Sequence, residues 1–141
     1  MSETPLADGA RYRAWVEEHI RFGDTDMLGH VNNAVFVTLS ETGRIHFLLR
    51  SGLPELPGGQ VWVIARIVLD YQAELHWPDT VRIGTGVLRI GNSSVTLGQG
   101  MFLGERCAAT SENVMVLIDT ATRRPAPLPE ALKAALGAYL I

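Results

Sequence analysis

Cysteine is nearly absent from this chain. Cys107 stands alone, so neither an internal disulfide nor a thiolate-rich metal centre can form. Its setting, Arg106-Cys107-Ala108-Ala109, reads as a small buried hydrophobe. Charge is sparse as well. Charged residues make up 19% of the chain and the net charge is −3. Such a balance argues against a nucleic acid or an anionic membrane as partner. No apolar run approaches the ~18 residues that a spanning helix needs. The first ten residues are polar and lack the apolar core of a secretion signal, so the expected location is the cytoplasm. There is no Gly-x-Ser-x-Gly nucleophile elbow and no phosphate-cradling Gly loop. His19, His46 and His76 are scattered, without zinc-site spacing. No metal and no other cofactor is expected.

What the chain does have is apolar mass. Hydrophobic residues reach 47% over 141 residues, enough for one domain with a respectable core. The same excess suggests apolar surface buried between subunits. Residues 1–10 read as a flexible tail and residues 11–141 as a single domain.

Periodicity lays out the elements. From Tyr12 to Phe22 the even positions are mostly apolar and the odd ones mostly charged, which predicts a half-buried strand. Asn32 or Asn33 can cap a helix running to about Arg50. Its apolar residues cover more than one stripe, so burial on most sides is expected. Gly43 costs ~1 kcal/mol in such a helix relative to Ala. A close backbone contact with a sheet or a second subunit would justify it. Strands follow at about 61–73, 80–90, 94–103 and 105–119, the second and third of these joined by a turn at Gly91-Asn92-Ser93. A short helix over 129–140 closes the chain. Consecutive strands with short turns predict an antiparallel sheet, and the long apolar helix must be covered by it.

The most informative stretch is Arg21-Phe22-Gly23-Asp24-Thr25-Asp26-Met27-Leu28-Gly29-His30-Val31-Asn32-Asn33. It sets two carboxylates, an imidazole and two amides just ahead of the helix. A carboxylate there can do base or nucleophilic work while unpaired helix N–H groups stabilise an oxyanion. Read from the residue alone, Asp26 is better explained as a helix-capping carboxylate, and only the whole motif favours catalysis. Asp24, in Gly23-Asp24, suits a structural turn.

This loop resembles the signature of the 4-hydroxybenzoyl-CoA thioesterase branch of the hotdog-fold superfamily, in which an Asp-x-Asp-x-x-Gly loop feeds a central helix. The Gly29-His30-Val31-Asn32-Asn33 ending is similar to acyl-CoA and acyl-carrier-protein thioesterases. The resemblance implies an α+β hotdog fold, a five-stranded antiparallel sheet wrapped around a long helix. It further implies edge-paired protomers, a homodimer or homotetramer, with each site at an interface. The expected reaction is hydrolysis of an acyl-CoA or acyl-carrier-protein thioester, with coenzyme A as part of the substrate.

Carried over residue by residue, Asp26 is the nucleophile or general base. The backbone N–H of Asn33 polarises the thioester carbonyl. His30 either acts in proton transfer or orients the loop. This chain has Leu28 where plant acyl-carrier-protein thioesterases carry an Asn. Asn32 holds the loop near the substrate. Glu41 is a second carboxylate from the helix, the origin of the catalytic acid in another hotdog branch. The basic cluster that binds coenzyme A phosphates in the resembled enzyme is missing at residues 91–93. Arg89, with Arg66 and Arg82, is the nearest substitute. Two other readings remain on sequence: a hotdog hydratase or dehydratase, and a non-catalytic acyl-thioester binder.

Overall fold

The computed structural model describes residues 5–141. Two 3-10 turns (Pro5–Ala7, Gly9–Arg11) precede β1 (Ala14–His19). A third 3-10 turn (Phe22–Asp24) leads to α1 (Asn33–Arg50). Then come β2 (Gln60–Tyr71), β3 (Thr80–Ile90), β4 (Ser94–Leu103), β5 (Arg106–Asp119) and α2 (Glu130–Gly137). The sheet order is β1-β3-β4-β5-β2, with every pair antiparallel. This is the expected hotdog layout: α1 lies across one face of a five-stranded sheet.

The long β2 is not regular along its whole length. Its register with β5 shifts between Ile64 and Arg66, the mark of a bulge. The predicted turn after β3 closes through Gly91 N–H to the Ser94 carbonyl at 2.7 Å.

Two apolar clusters fill the space between α1 and the sheet. One gathers Phe47, Leu48, Leu97, Leu117 and Leu136. The other gathers Ile20, Val31, Phe36, Leu75 and Met101, beneath the loop that precedes α1. Between them runs a polar belt. Ser40 Oγ donates to Gln99 Oε1 at 2.6 Å, and Asn113 Nδ2 donates to the same oxygen at 2.9 Å. Arg44 Nη1 donates to Ser40 Oγ at 2.8 Å and to Asn113 Oδ1 at 3.1 Å. Buried polar groups need such partners, because each unsatisfied one costs about 1–3 kcal/mol. Within this belt Arg44 Nε is buried without a hydrogen bond among the described residues. Burial pulls the Arg44 guanidinium below its ordinary value, and Glu41 opposes that shift.

Gly43 has the contact its position called for. A Cβ there would sit 2.6 Å from Gln99 Nε2 and 2.6 Å from Ile83 Cγ2. The helix is pressed against the sheet, and only hydrogen fits between.

Three expectations change. From Pro5 onward the N-terminus is not a loose tail. Leu6 and Tyr12 are buried, and Tyr12 Oη donates to the Leu6 carbonyl at 2.6 Å. Residues 1–4 of that tail lie outside the described residues. The physical reason is a row of glycines on the outer sheet face. Gly84 pairs with Gly100 and Gly86 with Gly98. A Cβ on Gly98 would meet Leu6 at 2.6 Å, and one on Gly84 would meet the Tyr12 ring at 2.6 Å. The missing side chains make a trough that the N-terminal residues fill. The second change concerns α1. Within one chain it is covered on one side only, and Val37, Ile45 and Leu49 are exposed. Cys107, placed on β5, is half-buried rather than buried. Among the described residues, no helix is long and apolar enough to cross a membrane.

Candidate active site

Asn32 fixes where α1 begins. Its Oδ1 accepts from Ala34 N–H at 2.9 Å, and its carbonyl accepts from Val35 N–H at 2.9 Å. The first helical N–H, that of Asn33, then has no acceptor among the described residues. It is one of the orphan donors every helix start carries, at the positive end of the helix dipole.

The loop before it is a tight hairpin. Thr25 and Val31 form an antiparallel bridge. Asp26 N–H donates to the His30 carbonyl at 3.0 Å, and Gly29 N–H returns to the Asp26 carbonyl at 3.1 Å. Gly29 sits at φ +88°, in the region glycine adopts without penalty. The hairpin is anchored at both sides: Val31 N–H donates to the Leu75 carbonyl at 2.7 Å, and Asn32 N–H to the Asp24 carbonyl at 2.9 Å.

The two loop carboxylates have different settings. Asp24 is buried. It accepts from Arg21 N–H at 2.8 Å and from Arg21 Nη2 at 3.0 Å. The Arg21 hydrogen bond holds the Asp24 carboxyl below the usual carboxylate range, against the opposing effect of burial. This carboxylate ties β1 to the loop. Asp26 is half-buried. Its Oδ1 accepts from Leu28 N–H at 2.9 Å, an Asx-type contact that aims the side chain. No donor among the described residues takes its other oxygen.

Asp26, His30 and Asn33 line one cleft of about 530 Å³. Val31, Phe36 and Tyr71 form its apolar wall. Tyr71 crosses Phe36 edge-on, with centroids 5.1 Å apart, and its hydroxyl donates to the Asn33 carbonyl at 2.8 Å. His30 Nδ1 lies 3.3 Å from the Val31 carbonyl oxygen. Its Nε2 lies 3.8 Å from Glu74 Oε1.

The structure thus brings together three of the six residues singled out on sequence. Asn32 is beside them but spends its side chain on the cap. Glu41 is eight residues along α1 from Asn33, about 12 Å at the usual rise, and lines a separate hollow with Thr42, Ile45 and His46. Within one chain it does not meet the Asp26 cleft. Arg89 is exposed at the far end of β3, nine residues from Thr80 and about 30 Å along the strand. Arg82 is stacked over the Trp15 ring, 4.1 Å from its centroid. Arg89 and Arg66 do share a register row, running Arg89–Thr96–Val114–Arg66 across four strands.

Sequence reading missed Tyr71 and Glu74. Tyr71 had a signal, as an aromatic at the end of an alternating strand. Glu74 had none, since it lies in an irregular segment that only the fold brings to the loop. Among the described residues, no group of three or more His, Cys, Asp or Glu side chains is placed to hold a metal ion.

Comparison with known proteins agrees with this fold. A family model described as the thioesterase-like superfamily matches residues 20–136. Comparison with curated protein sequences finds no match. Among solved structures, a thioesterase from Thermus thermophilus, complexed with coenzyme A and Zn, is 33% identical. The alignment covers 91% of this chain and 94% of that one, with a TM-score of 0.78. The PA5185 protein of Pseudomonas aeruginosa PAO1 is 30% identical, covering 93% and 94% of the two chains, with a TM-score of 0.81. A 1,4-dihydroxy-2-naphthoyl-CoA thioesterase from Synechocystis is 18% identical over 88% of this chain and 95% of that one. Its TM-score of 0.77 shows a common fold.

Proposed function

The chain belongs to the thioesterase-like superfamily and is a thioester hydrolase, and from that premise we propose that it cleaves acyl-CoA thioesters with Asp26 as the catalytic carboxylate. One observation carries this reading: a carboxylate, an unpaired helix N–H and an apolar wall share one cleft. The acyl group lies against Val31, Phe36 and Tyr71. The thioester oxygen accepts from Asn33 N–H. As the carbonyl carbon becomes tetrahedral, negative charge grows on that oxygen, where the helix N-terminus stabilises it. Asp26, aimed by Leu28 N–H, either attacks the carbonyl or removes a proton from the attacking water. After a single turnover in 18O-labelled water, label found in Asp26 establishes the first route, because an acyl anhydride of Asp26 takes up solvent oxygen there when water opens it at the Asp26 carbonyl.

Coenzyme A as carrier is supported by the Thermus thermophilus relative, whose structure holds it. Edge-paired protomers are supported by the apolar surface left on α1 and β2. Ile64 is opposite Met115, on the side facing α1, yet it is 42% exposed.

The deciding experiment follows free thiol with a thiol reagent over a panel of acyl-CoAs and acyl-carrier proteins. Thiol release from acyl-CoAs is the expected result. Release from carrier protein alone moves the substrate. Hydration of a 2-enoyl-CoA without thiol release makes the chain a hydratase, and tight binding without either reaction makes it a binder.

A further inference from the structure

Beside the Asp26 cleft a carboxylate stands between two imidazoles, and the mechanism above, on which this inference rests, gives it no role. His30 Nδ1 faces the Val31 carbonyl oxygen at 3.3 Å. A carbonyl only accepts, so in that contact Nδ1 carries the hydrogen. The nitrogen left for chemistry is Nε2. Glu74 Oε1 stands 3.8 Å from it, an ion-pair distance, and Glu74 Oε2 stands 3.4 Å from His76 Nε2. A carboxylate also only accepts. The ring form that suits both neighbours of His30 therefore has hydrogens on both nitrogens. That form is a proton donor at the edge of the cleft, which Glu74 lines together with Asp26 and His30. Asp26 lines the same cleft, and beyond Glu74 the backbone N–H of His76 donates to Asp79 Oδ2 at 2.9 Å.

We propose that Glu74 is a positioning residue for hydrolysis, holding His30 with its Nε2–H ready for the departing thiolate while His76 steadies the second carboxylate oxygen. Along the general-base route the balance is simple. Water adds to the carbonyl carbon and its proton passes to Asp26. The C–S bond then breaks with its electron pair on sulfur. His30 Nε2 gives its proton to that sulfur, so a neutral thiol leaves. The proton on Asp26 returns to His30 through solvent, and both groups are restored.

The test uses the leaving group. A coenzyme A thiolate is basic enough to need a proton, whereas a thiophenolate leaves without one. The side chain of Glu74 is 63% exposed, so Glu74→Gln is tolerated by the fold. It should lower kcat on a good acyl-CoA about fivefold, the scale of one exposed ion pair, with KM unchanged. On the matching acyl thiophenyl ester it should have no effect. His30→Ala should show the same leaving-group dependence with a larger loss, and Glu74→Gln added to His30→Ala should change nothing further. Equal losses with both leaving groups, equal losses in both His30 backgrounds, or no loss at all would overturn the role. A parent protein that hydrolyses no acyl thioester refutes the function and this role together, so the parent's own activity tells the two failures apart.

Discussion

Asp24 and Asp26 are two residues apart and are expected to respond to the same substitution in opposite ways. Asp24 is buried and held by Arg21. Asp24→Asn should cost about 1–2 kcal/mol of stability at neutral pH, the worth of hydrogen bonds to a charged group discounted for the exposed Arg21. The sign with pH follows from its lowered value. A carboxyl that is more acidic folded than unfolded adds stability above its unfolded value and loses it as pH falls through the folded one. The gap between parent and Asp24→Asn should therefore close in acid, as read by denaturant melts across pH. A gap that widens in acid would refute the pairing. Asp26→Asn keeps an oxygen for Leu28 N–H and should melt like the parent, yet lose hydrolysis by about two orders of magnitude or more. Stopped thiol-release assays beside a thermal melt measure both. Near-parental turnover in Asp26→Asn, with collapse in Glu41→Gln, would move the chemistry to the helix.

At the scale of elements, α1 shows what sequence could and could not say. Its start, its end and its Gly43 contact were legible because they depend on local chemistry: the Asn32 cap, Ser51-Gly52 beyond the last turn, and the cost of glycine in a helix interior. The strands were legible through alternation. The polar belt was not, because Ser40, Arg44, Gln99 and Asn113 come from three elements and no sequence period links them. The ordered N-terminus was also hidden, because only the cross-strand pairing of the β3 and β4 glycines makes the trough that it fills. Of the site, the residues within one short loop were legible. Glu74 and Tyr71 arrive from after or at the end of β2, and only the antiparallel crossing places them there. Gly43→Ala tests the element directly. Helix propensity favours Ala by ~1 kcal/mol, but the methyl would meet Gln99 and Ile83 at 2.6 Å. Overpacking of that kind costs about 1–3 kcal/mol. A melting temperature that falls is expected, and one that rises would mean the helix can lift from the sheet freely.

At the scale of the whole molecule, the open question is what covers the far side of α1 and the free edge of β2. Val37, Ile45 and Leu49 on the helix and Val61, Val63 and Ile64 on the strand are all exposed. β2 ends the sheet, so one side of its backbone pairs with no strand among the described residues. A long apolar edge is an invitation to pair with another strand. A second copy meeting this edge would extend the sheet, cover both sets of side chains and set its own residues beside the Asp26 cleft. Light scattering at micromolar concentration should then give at least twice the 15.4 kDa protomer mass. Ile64→Lys combined with Ile45→Lys places two charges on the proposed contact without touching the cleft. Charged residues are depleted from the centres of interfaces, so this variant should shift toward the monomer. If each site is completed by the partner, the monomeric variant should lose hydrolysis in proportion to its dissociation, with activity recovering as protein concentration rises. Full activity in a folded monomer would show that the cleft in one chain is the whole site.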